Sequence, residues 1–403
     1  MSIAAPDKRS VVVTGMGVVC CVGCSVEDFW QAVSEGRSGI RPLDRFDTSN
    51  HRIPKGGQAW DFMPPDDDTD LATAFALAAS GQAMENGGLA PDGFDSARAG
   101  IVLATNFGAI ETARAAFDQI RDGEYPVSVP AFRSLCFHGA AHDVASRLAL
   151  GGPVGSLSLS CASGNAAIGY ATDQIRLGRA DVMLAGGFDA ITEYAWAGLS
   201  ALKTMTTKEV RPFDLNRSQT IFSEGAGILL LEERGHAEAR GAAILAEVAG
   251  HGMNNNGHHI THPSPNGEGT VVAMQMALAD AAMAPDEIDH INAHGTGTKL
   301  NDNTETAAIK TVFGKRAYDI PINAIKSMIG HVMGAASAVE AIASVLSIRH
   351  GVIPPTIHYE TPDPECDLSY VPNEKIEMTV DTVLNNAAGI GGCNAVVIFR
   401  RCG

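Results

Sequence analysis

Three stretches set cysteine and histidine in unusual company. In "GSLSLSCASGNAAIGYA", residues 155–171, Cys161 stands where two patterns meet. Before it, Leu157 and Leu159 alternate with Ser156, Ser158 and Ser160, the period of a strand. After it, small residues lead to Ile168, Tyr170 and Ala171, which suit a helix. A thiol in the first turn of a helix feels the partial positive charge of unpaired peptide N–H groups, which favours thiolate and lowers its pKa. The N–H of the same residue can also face an oxyanion. The joint therefore suits an acyl-accepting nucleophile. A buried structural cysteine is the competing reading of this stretch taken alone.

Two further stretches shift that balance. "NAHGTGTKLND" puts His294 at a strand end, followed by Gly295 and Gly297 and by the hydroxyls of Thr296 and Thr298. "NAIKSMIGHVMGAA" puts His331 just past another strand, with Lys326 upstream. A glycine-rich turn, "AAGIGGCNAVVIF", precedes the last strand. Strand ends are where α/β folds build their sites.

Alternating strands and helices must carry these residues. Strand-like runs cover 10–19, 99–106, 182–190, 225–233, 242–253, 290–296, 320–327 and 394–400, with helical patterns between them, such as 304–314 and 334–351. That alternation predicts parallel or mixed sheets covered on both faces. Residues 1–250 and 251–403 hold similar sets, which makes a duplicated architecture the expectation.

Composition limits the function classes. The chain has 403 residues, a formal net charge of −17 and 43 glycines. Its acidity argues against nucleic acid, and an acidic partner would need a local basic patch. No run reaches the roughly 20 apolar residues of a membrane helix, so no membrane role is expected. The start, "MSIAAPDKRS", is polar, and the run after it is too short and glycine-broken for a signal sequence. Eight cysteines in a chain this long are not a disulfide framework. Cys21 and Cys24 have CxxC spacing without a second pair, so they read as small buried residues at a strand end. A reducing cytoplasm is the expected setting.

Five motifs, "SCASG", "RPFDLNRS…SEGAG", "NAHGTGT", "IKSMIGH" and "GIGG", occur in order almost from end to end. With them the chain resembles an elongating β-ketoacyl-[acyl carrier protein] synthase of the thiolase superfamily. The resemblance implies an α/β, five-layered αβαβα fold made of two similar halves, and a dimer with a copy or a ketosynthase-like paralogue. It implies Cys161 as nucleophile, His294 and His331 beside it, and Lys326 and Glu305 as a charged pair behind them. It implies the amides of Cys161 and Ile390 as the oxyanion hole. Thr296 and Thr298 would bind the pantetheine arm, and His259 and Thr261 would lie by the substrate. Acyl carrier protein is the implied partner, carrying substrates on its phosphopantetheine, and no cofactor is implied. Lys203, Lys208 and Arg211 are candidates for docking it. A zinc site could be mimicked by Cys161, His294 and His331, but it would explain none of the other motifs, so no metal is expected.

The sequence departs from the family pattern around the pocket. Ala388 and Ile390 stand where phenylalanines are usual, Ile390 at the acyl gate, and Cys393 replaces a threonine. Phe107 stands where a smaller aliphatic usually forms the pocket floor. Ser218, Gln219, Thr220, Ser223, Asn256 and His262 also differ. These changes favour specialised polyketide or polyene assembly over housekeeping fatty-acid elongation. A non-decarboxylating acyltransferase or a chain-length-setting subunit are further alternatives. Such subunits typically lose the nucleophile, whereas Cys161 is present. A thiolase would use a second cysteine, but the order Gly391-Gly392-Cys393 is not its pattern.

Overall fold

The computed structural model describes residues 9–66, 69–90, 93–124 and 136–402. Residues 1–8, the polar start read above, lie outside them. Ten strands build the main sheet: β1 (Val11–Cys20), β2 (Ala99–Ala104), β3 (Val154–Leu157), β4 (Val182–Asp189), β5 (Gly225–Glu233), β6 (Ala246–Asn255), β7 (His290–Asn292), β8 (Ile322–Asn323), β9 (Thr382–Gly389) and β10 (Cys393–Arg400). They are ordered β8-β7-β9-β10-β6-β1-β5-β4-β2-β3. Only two residue pairs, Val12 with Glu247 and Val13 with Ala246, join the two groups of five.

Each group repeats one plan. Counted within its own half, the order is third, second, fourth, fifth, first. First with fifth and fifth with fourth run antiparallel, whereas fourth with second and second with third run parallel, in both halves. The second set opens at Ala246, so a division at residue 250 falls inside β6.

Six helices matter for the site: α1 (Leu71–Asn86), α2 (Ser163–Arg176), α3 (Glu268–Ala281), α4 (Lys299–Phe313), the short α5 (Lys326–Ile329) and α6 (Ala336–His350). Helix α1 covers the outer face of the first half, and α3 with α4 behind it covers the second. Helices α2 and α6 lie between the halves, which makes five layers. Every residue of α6 from Ala336 to Ile348 is buried, the environment an all-round apolar helix requires. No helix among the described residues is long and apolar enough to cross a membrane.

The central helices touch through small residues. A Cβ on Gly164 of α2 would lie 2.5 Å from the backbone nitrogen of Ala338 on α6. At the next residue, Asn165 Nδ2 donates to the carbonyls of Asn385 on β9 and Ala395 on β10, both at 3.0 Å. Asn385 returns a bond to Asn165 Oδ1 at 2.8 Å. The first half is thus pinned to the second at the start of α2.

Local structure departs from the sequence reading in three places. Strand β9 was not anticipated, because Asn385 and Asn386 are poor strand formers. The runs at 290–296 and 320–327 are strands only at Ile291 and its neighbours and at Ile322–Asn323. Lys326 already starts a helical turn. At the end of β1, Cys20 and Cys21 are buried, and burial pushes the Cys20 thiol up to about 12 and Cys24 up to about 11.

Gly164→Ala should cost about 1–3 kcal/mol by overpacking the α2–α6 contact. Gly81→Ala on α1, where nothing lies within 4 Å of the new methyl, should be neutral or stabilise by about 0.5–1 kcal/mol. Urea unfolding of both variants checks this, and equal midpoints would remove the close contact from the account.

Candidate active site

The nucleophile candidate sits on an elbow. Strand β3 ends at Leu157, α2 begins at Ser163, and Ala162 precedes it. Cys161 therefore lies two residues ahead of the helix, not in its first turn as the sequence suggested. Ser160 turns the chain with φ of 53°, in the left-handed region, which costs a non-glycine residue about 1–2 kcal/mol. Ser163 clamps the turn: its Oγ accepts the Leu159 N–H at 2.7 Å and donates to the Ser160 carbonyl at 2.6 Å.

The glycine-rich turn after β9 closes over this elbow. A side chain at Gly389 would meet the Leu159 carbonyl at 2.9 Å and the Cys161 nitrogen at 3.1 Å, so only glycine fits there. The next residue, Ile390, turns its backbone N–H toward the Cys161 sulfur. Cys161 itself is half-buried. Burial pushes its thiol pKa up. The Ser160 hydroxyl, 3.6 Å from the sulfur, the Lys326 charge and the Ile390 N–H act in the opposite sense. The expectation of a lowered pKa is corrected accordingly: burial outweighs the groups that favour the thiolate.

Two buried histidines come from the second half. His294 follows β7, and His331 follows α5. Their ring centroids are 5.7 Å apart, and the planes cross at 88°. The Cys161 sulfur and a nitrogen of each ring lie within 4.8 Å of one another. Burial, reinforced by the Lys326 charge, holds both imidazoles well below the usual histidine range. They are neutral, and their tautomers are set. The Met333 N–H donates to His331 Nδ1 at 3.0 Å. The Lys326 ammonium, which has only donors, faces His294 Nδ1 at 3.3 Å. Each Nε2 therefore carries the proton.

The charged pair behind the histidines differs from the one the resemblance implied. Lys326, fully buried, pairs with Glu340 of α6 and donates to the His294 carbonyl at 2.7 Å. Burial raises Glu340 to about 7, with Lys326 opposing it. Glu305 of α4 instead accepts the N–H groups of His294 at 2.7 Å and Gly295 at 2.9 Å, and the Asn386 amide at 2.6 Å. It shapes the His294 turn rather than neutralising Lys326. Glu340 was missed in the sequence, although one acid inside "SAVEAIASVL" is the signal that could have found it.

The remaining candidates spread outward. Thr296 and Thr298 bond each other through their hydroxyls at 2.9 Å. His259 and Thr261 lie on an exposed loop, bonded through the Ile260 carbonyl to the Gly391 N–H at 2.7 Å, beside Ile390. Phe107 is half-buried against an apolar cluster that includes Ile191, Trp196, Phe222 and Met333, so its ring is not enclosed as the expected pocket floor would be. Lys203 and Lys208 are exposed, whereas Arg211 is engaged by Glu360 at 2.7 Å.

A cysteine elbow facing two Nε2–H imidazoles narrows the choice of families, and comparison with known proteins decides it. Residues 8–237 match the model of the β-ketoacyl synthase N-terminal domain, and residues 245–360 match its C-terminal domain. The chain belongs to the β-ketoacyl synthase family. As such it is an acyltransferase of the condensing class with a thiolase-like fold. It is 37% identical to 3-oxoacyl-[acyl-carrier-protein] synthase 2 of Coxiella burnetii, over 98% of this chain and 99% of that one. Among solved structures, the ishigamide ketosynthase/chain length factor superposes with a TM-score of 0.93 at 38% identity, covering 98% of this chain and all of that one. A type II polyketide ketosynthase, bound to a hexaketide in complex with its acyl-carrier protein, superposes with a TM-score of 0.92 at 35% identity and the same coverage.

Removing the buried charge tests how this β-ketoacyl synthase holds His294. Lys326→Met alone would strand Glu340, at a cost of about 3–5 kcal/mol, so the informative variant is Lys326→Met with Glu340→Gln. Lys326 opposes protonation of His294, so its loss should raise the His294 pKa toward 6.5. NMR titration, assigned against His294→Ala, reads this. An unmoved His294 would show that burial alone sets its state.

Proposed function

We propose that the chain catalyses decarboxylative Claisen condensation of a Cys161-bound acyl chain with malonyl-acyl carrier protein. The observation that carries this reading is the Cys161 sulfur within 4.8 Å of two neutral imidazoles whose Nε2 atoms are donors. In the first half-reaction the sulfur attacks the acyl thioester, and the thiol proton leaves with the carrier's pantetheine sulfur. The Cys161 and Ile390 amides would stabilise the tetrahedral oxyanion, by roughly 3–4 kcal/mol per donor in comparable sites.

In the second half-reaction a malonyl thioester oxygen accepts the two Nε2–H bonds. Loss of CO2 leaves an enolate held by those donors. Its carbon attacks the acyl-Cys161 carbonyl, and the cysteine sulfur departs as thiolate and takes up one proton from solvent, the proton that loss of CO2 from a carboxylate does not supply. The imidazoles are donors in this scheme and not bases, which agrees with their lowered pKa values. The same tautomers argue against a metal here: a ring ligating through Nε2 would offer a proton at Nδ1, and both Nδ1 atoms face donors. No cofactor enters the proposal.

The carrier protein is the proposed partner, as the ketosynthase–carrier complex and the Coxiella enzyme's name suggest. Lys203 and Lys208 are its proposed contacts. A dimer is proposed across β3, the edge strand of the first half. Val154 on β3 and Phe137, ahead of the helix Gly139–Arg147 that packs on it, are both exposed. The setting we favour is specialised polyketide or polyene assembly in a reducing cytoplasm, supported by Phe107, Ile390 and the polyketide synthase relatives. Fatty-acid elongation is the second reading, favoured by the likeness to the Coxiella enzyme. Products formed from saturated and polyenoyl carrier substrates, identified by mass, separate the two.

Cys161→Ala should abolish acyl-enzyme, whereas His294→Ala or His331→Ala should spare self-acylation more than condensation. Mass spectrometry of the intact protein and CO2 release read the two steps separately. Equal loss of both steps in the histidine variants would overturn the division of labour.

Phe107→Ala should admit longer primers, as a cutoff shift in a saturated acyl series. The stability cost should stay below the ~3 kcal/mol of an enclosed ring, because the side chain is only half-buried. An unchanged cutoff would move the length limit elsewhere.

A further inference from the structure

One buried carboxylate plays no part in the scheme above. Asp189 ends β4 and is fully enclosed. No charged group is among the main influences on it; burial raises it to about 6, and only hydrogen bonds hold it down. Its oxygens accept four donors: the Thr105 hydroxyl at 2.6 Å, the Asn106 N–H at 3.1 Å, the Phe107 N–H at 2.9 Å and the Gly334 N–H at 2.6 Å.

Those donors belong to two turns. Thr105 to Phe107 form the turn after β2, and in that turn only Phe107 is proposed to face the primer. Gly334 belongs to the turn after His331, next to Met333, whose N–H sets the His331 tautomer. Met333 also packs in the cluster that Phe107 joins. We propose that Asp189 is a positioning residue that ties the Phe107 turn to the His331 turn, so that the primer cavity and the imidazole facing the enolate are fixed together. This rests on the roles given to Phe107 and His331 above.

The acceptor inventory explains why a carboxylate is needed. All four partners are donors, and only an ionised carboxylate offers acceptors on both arms. Oδ1 takes the Thr105 and Phe107 donors, Oδ2 takes Gly334, and the Asn106 N–H lies 3.1 Å from both oxygens. An asparagine would fit the space but turn an NH2 against one side. One orientation deprives Gly334 of its acceptor, and the other deprives Thr105 and Phe107 of theirs. Thr105 works on one turn alone: its hydroxyl donates to Asp189 and accepts the Gly108 N–H at 2.8 Å.

Three full-length variants test the tie. Asp189→Asn should change the His331 ring 15N shifts. It should also slow primer-free decarboxylation of malonyl-carrier protein by about tenfold to a hundredfold, the scale of a misplaced reacting group, and move the primer cutoff. Thr105→Val should move the cutoff and leave the His331 shifts and decarboxylation at the wild-type level. Thr105→Ser should restore wild-type behaviour in all three. A folded Asp189→Asn with unchanged His331 shifts overturns the proposal. If that variant does not fold, Thr105→Val decides: an unmoved cutoff, or altered His331 shifts, overturns it. An inactive wild type whose His331 shifts still respond to Asp189→Asn would instead refute the functional reading and leave the tie standing.

Discussion

A fully buried ammonium is the constraint on which the site depends. An ion of this kind loses several kcal/mol of hydration when it leaves water, so it must be paired and fully bonded. Lys326 meets that demand with Glu340, the His294 carbonyl and His294 Nδ1. Each partner then has consequences. Glu340 is the one acid of α6, in the stretch from Ala336 to Ile348 that is buried throughout. The bond to Nδ1 leaves the His294 proton on Nε2. Burial keeps both imidazoles neutral, and the positive charge reinforces it. A salt bridge that contributes little as a stabilising contact therefore bears on the tautomer and the protonation state of the rings beside the thiol.

The second requirement is that two halves of the chain meet with small error. The cysteine comes from the first half and both histidines from the second. Nothing local to either half sets their separation. The Gly164–Ala338 approach and the reciprocal Asn165–Asn385 bonds do so, within one turn of the cysteine elbow. Polar side chains are used at this seam because amide bonds specify a position, whereas an apolar contact tolerates sliding. Gly389 brings the covering turn equally close, and the Ile390 amide reaches the sulfur as a result.

How far the sequence was legible follows from this. Cys161, His294 and His331 could be read because each stands at a pattern break, between an apolar strand and a run of small residues. Strand β5 was legible to the residue, since "GAGILLLEE" is buried from Gly225 to Glu232 and only its last residue, Glu233, is partly exposed. Strand β9 was not, because its asparagines answer to Asn165 and Glu305 rather than to the sheet. The lysine's partner was misassigned for a similar reason. Glu305 lies 11 residues past His294 in the histidine motif, while Glu340 lies 14 residues past Lys326 inside the next long helix, where the pattern reads as core. The thiol pKa also went the wrong way, because a sequence shows a nearby helix start but not the depth of burial.

The repeated strand plan has a consequence for how such a site arises. In each half the segment between the third strand and the central helix reaches the middle of the molecule. In the first half that address holds Cys161, and in the second it holds Lys326 and His331. The address after the second strand holds Phe107 in one half and His294 in the other. The end of the fourth strand holds Asp189 in one and the turn of Gly389 and Ile390 in the other. One strand plan, met twice about a common seam, thus supplies two non-identical lists of side chains to a single site. The two halves carry complementary parts, and neither by itself contains both the thiol and the imidazole donors that face it.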